Sequence, residues 1–208
     1  MYSSVLSFIP RPHQDTSCES TYGKGKTIYK QKELSKGFYL LKSGTVKLQR
    51  VLPSGESTII RIISPGQIFG EKTFKEDRNV LNSSFAIALQ DNTEIEKIAC
   101  ISTLPEQWIQ QIMNHLAQDA KENLARYERV ISMESETRIR YYMKDLAQRI
   151  GVKYGDETLL KINLTHQEWA KYTDTSRQTV TQTFSKLKKQ GQITYSRNRI
   201  LFRNLDTF

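Results

Sequence analysis

The sequence predicts an α+β protein with a β-rich N-terminal part, one long helix and a C-terminal helix-turn-helix. Three observations lead to this class. Short apolar or alternating runs, separated by glycine, fill residues 1–102. A helical stripe of apolar side chains then continues through residues 103–133. Residues 134–208 combine three helical segments with a hairpin, and they carry most of the net charge of +9. These three ranges are the predicted domains.

The N-terminal segment has the spacing of a small antiparallel barrel or jelly roll. β-Branched and other apolar residues predict strands at residues 45–49, 57–63, 83–89 and 93–98. Pro53-Ser54-Gly55 lies between the first two and has the composition of a hairpin turn. We therefore expect these two strands to pair directly.

The second segment predicts one long helix. Thr103-Leu104-Pro105-Glu106 has the pattern of a capping box with an early proline. The stripe after it covers about eight turns, more than one small barrel can bury. Its members are Trp108, Ile109, Ile112, Met113, Leu116, Ala120, Leu124, Tyr127 and Ile131. We expect half of it to face a second copy of the chain, as in a two-stranded coiled coil. Packing of the whole stripe within one chain is the alternative.

The third segment predicts three helices and a hairpin. A stripe from Ile139 to Ile150 stops at Gly151, which signals a helix end. Thr165-His166-Gln167-Glu168 is a second capping box, and it opens a short helix. Ser176 can cap a third helix that runs to about Gln190. Two short helices joined by a tight turn make a helix-turn-helix.

Composition excludes several functional classes. Two cysteines, Cys18 and Cys100, cannot supply a disulfide scaffold, a metal finger or an iron–sulfur cluster. The β-rich segment holds no histidine beyond His13, so a cupin-like metal enzyme or a haem sensor is disfavoured. The sequence shows no phosphate-binding loop, dinucleotide fingerprint or nucleophile elbow. We therefore predict no enzyme and no metal or other resident cofactor.

The location of the protein is predicted from two absences. No apolar run approaches the roughly 20 residues of a membrane span. Residues 1–10 lack the basic residue that precedes the apolar stretch of a secretory signal. We expect a cytoplasmic protein with no membrane partner.

Charge and helix geometry together predict a DNA-binding surface. Residues 136–208 contain 14 basic and 7 acidic side chains, an excess typical of a polyanion binder. In the third helix Val180, Phe184 and Leu187 share one side, which we expect to be buried. The opposite side carries hydrogen-bonding residues suited to base edges in a major groove, namely Arg177, Gln178, Thr181 and Gln182.

Further cations suit the phosphate backbone rather than the bases. Lys188 and Lys189 end the third helix, and Arg197 and Arg199 lie at the predicted hairpin tip. The alternative is a winged helix that makes protein contacts through a solvated polar face. Retention on DNA with a steep loss of binding as salt rises would separate the two.

The chain resembles the Crp/Fnr family of bacterial transcription regulators along nearly its whole length. Residues 37–46 (GFYLLKSGTV) are similar to its early strand pair, and residues 65–71 (PGQIFGE) to the start of its effector cassette. Residues 176–182 (SRQTVTQ) are similar to its recognition helix. The resemblance implies a β-roll of the cyclic-nucleotide-binding type, a dimerising helix and a winged helix-turn-helix. It also implies a homodimer on palindromic double-stranded DNA, with RNA polymerase as a further partner.

Positions matched to the recognition helix imply roles in DNA binding. Arg177 should contact guanine. Gln178 replaces a glutamate of the cyclic-AMP-responsive members, and Gln182 replaces an arginine of many members, so a different half-site is expected. His166 occupies the place of a basic phosphate contact, although an exposed helix-start residue is an equal alternative. The predicted interface also includes Ser176, Thr179 and Thr165.

The effector cassette departs from that of nucleotide-binding relatives. Glu71 and Ser83 are present, but Asn82 stands where those relatives have the arginine that pairs with phosphate. An amide cannot offset a buried phosphate charge. On the long helix the base contacts would fall near Asn123 and Leu124, and leucine is a poor polar partner. We expect no tight cyclic AMP binding. A shifted contact through Arg78, a different small-molecule effector, and regulation without a ligand remain alternatives.

Overall fold

A computed structural model of the chain describes residues 17–71, 80–98 and 106–208. By contacts the chain divides into two compact units, residues 1–123 and 124–208. The division falls inside the long helix rather than at its ends. The domain bounds given above therefore stay predictions.

Within the described part of the first unit there are eight strands. They are β1 (Ser17–Tyr22), β2 (Thr27–Tyr29), β3 (Gly37–Ser43), β4 (Val46–Val51), β5 (Ser57–Ile63), β6 (Ile68–Glu71), β7 (Phe85–Ala88) and β8 (Thr93–Ile98). They form two four-stranded antiparallel sheets, in the orders β1-β8-β3-β6 and β2-β7-β4-β5. The prediction of an N-terminal β domain in an α+β chain is confirmed.

The hairpin predicted at Pro53-Ser54-Gly55 is confirmed. β4 and β5 pair in antiparallel register, and the amide of Leu52 donates to the carbonyl oxygen of Glu56 at 2.7 Å. Gly55 closes the turn with a φ of 85°, a conformation that glycine adopts without steric cost. The sequence does not predict β1 or β2. β1 reads SCESTY and contains little apolar character, while β2 has only three residues.

The core of this unit combines apolar side chains with an aromatic stack. The ring centres of Tyr29, Tyr39 and Phe69 lie 5.4–6.2 Å apart, and the ring planes are inclined to one another by 25–29°. Leu41, Val46 and Ile63 are fully buried in the same cluster. Because interiors are close-packed, these contacts hold the two sheets together.

The long helix α1 (Glu106–Ser132) confirms the predicted helix. Its predicted start at Thr103–Pro105 lies outside the described residues. Trp108 and Ile112 are buried in a cluster with strand residues of the first unit. Ile109 is half-buried. The remaining members of the stripe are solvent-exposed: Met113, Leu116, Leu124, Tyr127 and Ile131 are 37–67% accessible, and Ala120 is exposed as well.

An ionic group joins β5 to α1 within the first unit. Arg61 pairs with Asp119, and Nε2 of His115 lies 3.3 Å from Oδ2 of the same carboxylate. Burial, and then the nearby Arg61 guanidinium, lower the pKa of His115 to about 4. His115 is therefore neutral at pH 7.

We predict that the first unit loses stability as the pH falls from about 6.5 to about 4. The unfolded chain takes up the His115 proton near pH 6.5, whereas the folded unit takes it up near pH 4. Protonation therefore favours the unfolded state, by roughly 2–3 kcal/mol across this window. The free energy of unfolding at each pH is measured by denaturant titration followed by Trp108 fluorescence. The second tryptophan is removed by Trp169→Phe so that the signal reports on the first unit.

The matched control is His115→Gln, which should flatten this pH dependence. Burial raises the pKa of Asp119, which opposes the His115 effect at the acidic end. An unchanged slope in the His115→Gln protein between pH 6.5 and 5 would contradict the assignment.

The second unit contains three further helices and four strands. They are α2 (Ser135–Ile150), β9 (Val152–Tyr154), β10 (Glu157–Lys161), α3 (His166–Tyr172), α4 (Arg177–Lys189), β11 (Ile193–Ser196) and β12 (Arg199–Phe202). The strands form one antiparallel sheet in the order β11-β12-β10-β9. The predicted helices and C-terminal hairpin are confirmed.

The hairpin of β9 and β10 is absent from the prediction. Its turn contains Gly155-Asp156, a composition that could have revealed it. Gly151 ends α2 as predicted, but its φ of −72° is not left-handed. Glycine is needed there for space, because a Cβ would collide with the carbonyl oxygen of Ala147.

Candidate nucleic-acid interface

The helix-turn-helix consists of α3 and α4. Thr165 caps α3 in the predicted capping box: its hydroxyl accepts from the amide of Glu168 at 3.2 Å, and the Glu168 carboxylate accepts from the Thr165 amide at 2.9 Å. Ser176 caps α4 by accepting from the amide of Thr179 at 3.0 Å. These bonds satisfy amides that would otherwise lack partners at the helix starts, so both starts are firmly defined.

α4 has one buried and one exposed side, as predicted. Val180, Phe184 and Leu187 are 0–2% accessible, and Thr183 is buried beside them. The side chains predicted to read bases are all exposed: Arg177, Gln178, Thr181 and Gln182. Thr179 is half-buried, and its hydroxyl lies 2.8 Å from that of Ser176. The exposed side at the start of α4 is therefore rich in donors and acceptors.

His166 lies against this side of α4. Its Nδ1 is 3.0 Å from the Thr181 hydroxyl, which itself donates to the carbonyl oxygen of Arg177 at 2.9 Å. The hydroxyl proton is thus engaged, so Nδ1 of His166 is the donor in the first contact. Burial, and then the charge of Arg177, lower the pKa of His166. These contacts fix the ring beside the predicted base-reading residues, while its phosphate contact remains a prediction.

The remaining predicted cations border α4. Lys188 and Lys189 are exposed at its end, and Nζ of Lys188 lies 5.6 Å from the centre of the Tyr195 ring. Arg197 and Arg199 are exposed at the turn between β11 and β12, where Asn198 has a φ of 65°. All four are accessible to a polyanion.

Neighbouring cations are occupied by ion pairs. Lys186 of α4 binds the Glu136 carboxylate at 2.8 Å, and Arg203 pairs with Glu157. Lys186 and Arg203 thus differ from the four cations predicted to meet phosphate, because each is bound to a carboxylate.

The predicted effector residues lie partly together. The amide of Ser83 donates to Oε1 of Glu71 at 3.0 Å, and the Ser83 hydroxyl donates to the same oxygen. Gly70 precedes Glu71 with a φ of 104°, and a Cβ there would approach the Gly37 carbonyl oxygen to 2.6 Å. Only glycine fits this position, which places the carboxylate of Glu71 at the end of β6.

Asn82 is 3% accessible, and its amide nitrogen donates to the carbonyl oxygen of Lys30 at 3.2 Å. Its backbone is also engaged, by Lys32 and Glu33. Asn123 and Leu124 are exposed on α1. Arg78 lies outside the described residues. The roles of these residues toward an effector remain predictions.

No helix in the described parts of the chain is both long and apolar enough to cross a membrane. Among residues 17–71, 80–98 and 106–208, no three histidine, cysteine or acidic side chains cluster as metal ligands would.

Comparisons with known proteins agree with this architecture. Residues 19–97 match the model of the cyclic nucleotide-binding domain, and residues 116–207 match the Crp-like helix-turn-helix domain. The chain is 27% identical to the cyclic AMP receptor protein of Thermus thermophilus, over 83% of this chain and 77% of that protein. It is 24% identical to the CRP-like cAMP-activated global transcriptional regulator of Mycobacterium tuberculosis, over 83% and 78% of the two chains.

A solved structure shows the same fold. The crystal structure of a CRP-family transcriptional regulator from Thermus thermophilus superposes with a TM-score of 0.76 at 21% identity, covering 90% of this chain and 93% of that one. The fold and the exposed side of α4 thus define a transcription regulator with a helix-turn-helix DNA-binding domain. The chain belongs to the Crp/Fnr family.

Proposed function

We propose that the protein is a homodimer that reads a palindromic DNA site through α4. The observation that carries this proposal is the start of α4, where Arg177, Gln178 and Gln182 are exposed on a helix whose other side is buried. Arginine can bond O6 and N7 of guanine together, and glutamine can bond N6 and N7 of adenine. The major groove is wide enough to admit such a helix.

The exposed stripe of α1 supports the dimer. Leu124, Tyr127 and Ile131 are 60–67% accessible and recur at helical spacing. Apolar side chains in such a row are stabilised when a second helix covers them. Two-fold symmetry then places the two recognition helices about 34 Å apart, which is one turn of DNA.

Selection of genomic fragments by the purified protein tests the DNA proposal. We expect enrichment of a palindrome whose half-site contains guanine and adenine and differs from that of the cyclic-AMP-responsive regulators. Repeating the selection with a cell extract of small metabolites shows whether an effector is needed. Equal retention of random and selected duplexes would contradict sequence-specific binding. Selection of the half-site of the cyclic-AMP-responsive regulators would contradict the predicted change of half-site.

The contacts at the cassette support a protein that does not bind cyclic AMP tightly. The position expected to pair with phosphate holds Asn82, an uncharged side chain whose amide is engaged by Lys30. One oxygen of Glu71 already accepts two bonds from Ser83. Burying a phosphate without a cation costs free energy that no described contact here offsets.

We predict no heat of binding for cyclic AMP at micromolar concentration. Isothermal titration calorimetry of the full chain measures this, with a cAMP-activated relative as the positive control. Micromolar binding would overturn the prediction. In that case Arg78→Ala tests the alternative in which this arginine supplies the phosphate contact. If neither nucleotide nor extract alters DNA binding, regulation by abundance is the remaining alternative.

The other roles follow from the family. We propose that the protein acts in the cytoplasm, contacts RNA polymerase at its target promoters and has no catalytic activity. Membership of a family of transcription regulators supports all three.

A further inference from the structure

Two arginines from neighbouring helices hold the turn between α3 and α4. We propose that Arg126 and Arg138, with Asp174, are positioning residues that set the recognition helix for a palindromic site. The inference rests on the proposed function, because it concerns the spacing of two recognition helices in a dimer.

We call the group formed by Arg126, Arg138 and Asp174 the brace. Its first arm comes from α1. Nε of Arg126 donates to Oδ2 of Asp174 at 2.9 Å, and Nη2 donates to Oδ1 at 2.8 Å. The side chains are only 15% and 29% accessible. Two parallel bonds between planar groups fix direction as well as distance. The C-terminal part of α1 is thereby joined to the turn of the helix-turn-helix.

The second arm comes from α2. Arg138 is 5% accessible, and its Nε donates to the carbonyl oxygen of Thr173 at 2.7 Å. Its Nη2 donates to the carbonyl oxygen of Asp174, and Nη1 to that of Met133, both at 2.8 Å. A single guanidinium therefore connects the joint between α1 and α2 to the turn before α4.

Asp174 combines an unusual backbone conformation with a carboxylate that is used. Asp174 has a φ of 52°, a left-handed conformation that glycine adopts most readily and that aspartate tolerates. Glycine would supply the backbone shape without a side chain. The carboxylate of Asp174 is explained by its two bonds to Arg126.

The brace lies close to the start of the recognition helix. Asp174 is two residues before the cap Ser176 and three before Arg177, the first residue of α4. In the proposed dimer, pairing of α1 sets the distance between the two copies of α4. A rigid link from α1 to this turn is needed if both helices are to enter the groove one turn apart.

The test compares DNA substrates that depend differently on this link. Arg126→Gln, Asp174→Asn and the double variant are titrated with the palindrome selected by the wild type, with palindromes one base pair longer or shorter, and with a single half-site. We expect the single variants to lose about 5- to 150-fold in affinity for the native palindrome, the usual range for coupling between sites. Their preference for the native spacing should weaken, and half-site binding should not change.

The double variant should lose no more than either single variant, because both changes remove one interaction. Arg126→Lys keeps the charge without the bidentate geometry, so it should fall between wild type and Arg126→Gln. Asp145→Asn is the matched control, since it makes the same change of charge and removes an arginine–carboxylate pair within α2 that involves neither α1 nor α4. We expect it to bind all four duplexes as the wild type does.

Three outcomes would contradict the positioning role or the proposed function. Retention of the wild-type spacing preference in both single variants would overturn the brace. An equal loss on half-site and palindrome, with a lowered unfolding temperature, would also overturn it in favour of a merely structural role. A wild-type protein that is monomeric, or that prefers no palindrome, would instead defeat the proposed function.

Discussion

The Arg177→Ala protein should lose most of its ability to distinguish the selected palindrome from a scrambled duplex. A bidentate arginine–guanine contact contributes ~1–3 kcal/mol of discrimination, and a dimer makes it twice, so the loss should be ~2–6 kcal/mol. Fluorescence anisotropy titrations of both duplexes at one fixed salt concentration measure it. Arg177→Lys should lose discrimination as well, because an ammonium group cannot form the planar pair of bonds.

Lys189→Ala is the matched control for this prediction. Lys189 is exposed at the other end of α4 and is suited to phosphate. Its loss should weaken binding to both duplexes alike and reduce the salt slope by about one per monomer. An Arg177→Ala protein with the wild-type preference would show that another residue reads the site.

A second large effect is expected from charge on the exposed stripe of α1. The double substitution Leu116→Lys and Ile131→Lys should convert the protein to a monomer at micromolar concentration. Burial of one such side chain contributes ~1.5–3 kcal/mol, and each change affects the dimer twice. Sedimentation velocity gives the mass, and DNA titration should show that the preference for a palindrome over a single half-site disappears.

Gln118→Lys provides the comparison for the stripe. This residue is exposed and lies near the opposite side of α1, two positions from Leu116. It introduces the same charge outside the stripe, so the dimer should persist. A double variant that remains dimeric would show that α1 does not form the proposed interface.

Local pattern was sufficient for several elements. The hairpin between β4 and β5 follows from a turn composition flanked by β-branched runs. α4 follows from its cap Ser176, its periodicity and Gly191 just beyond its end. Each signal lies within a few residues of the element that it specifies. The side of α4 offered to DNA follows from the same periodicity, because Val180, Phe184 and Leu187 define the buried side.

Other elements lack such a local signal. β1 is almost entirely polar and pairs with β8, more than 70 residues away along the chain. Its strand conformation depends on that partner, since half-buried strands are stabilised by their neighbours rather than by propensity. Asn82 could be matched to the phosphate position from sequence, but its bond to the Lys30 carbonyl depends on a loop brought close by folding.

By itself the sequence determined the order of the segments, the two-sidedness of α4, the exposed apolar stripe and the polar side chains available to DNA. These features depend on residue type and on fixed helical or strand periods, which a chain displays before it folds. Only the tertiary structure decided that Arg126 and Arg138 meet Asp174, and that Arg61 and His115 meet Asp119. Such ionic contacts join residues up to 58 positions apart, and no period or spacing specifies which distant charges will come together.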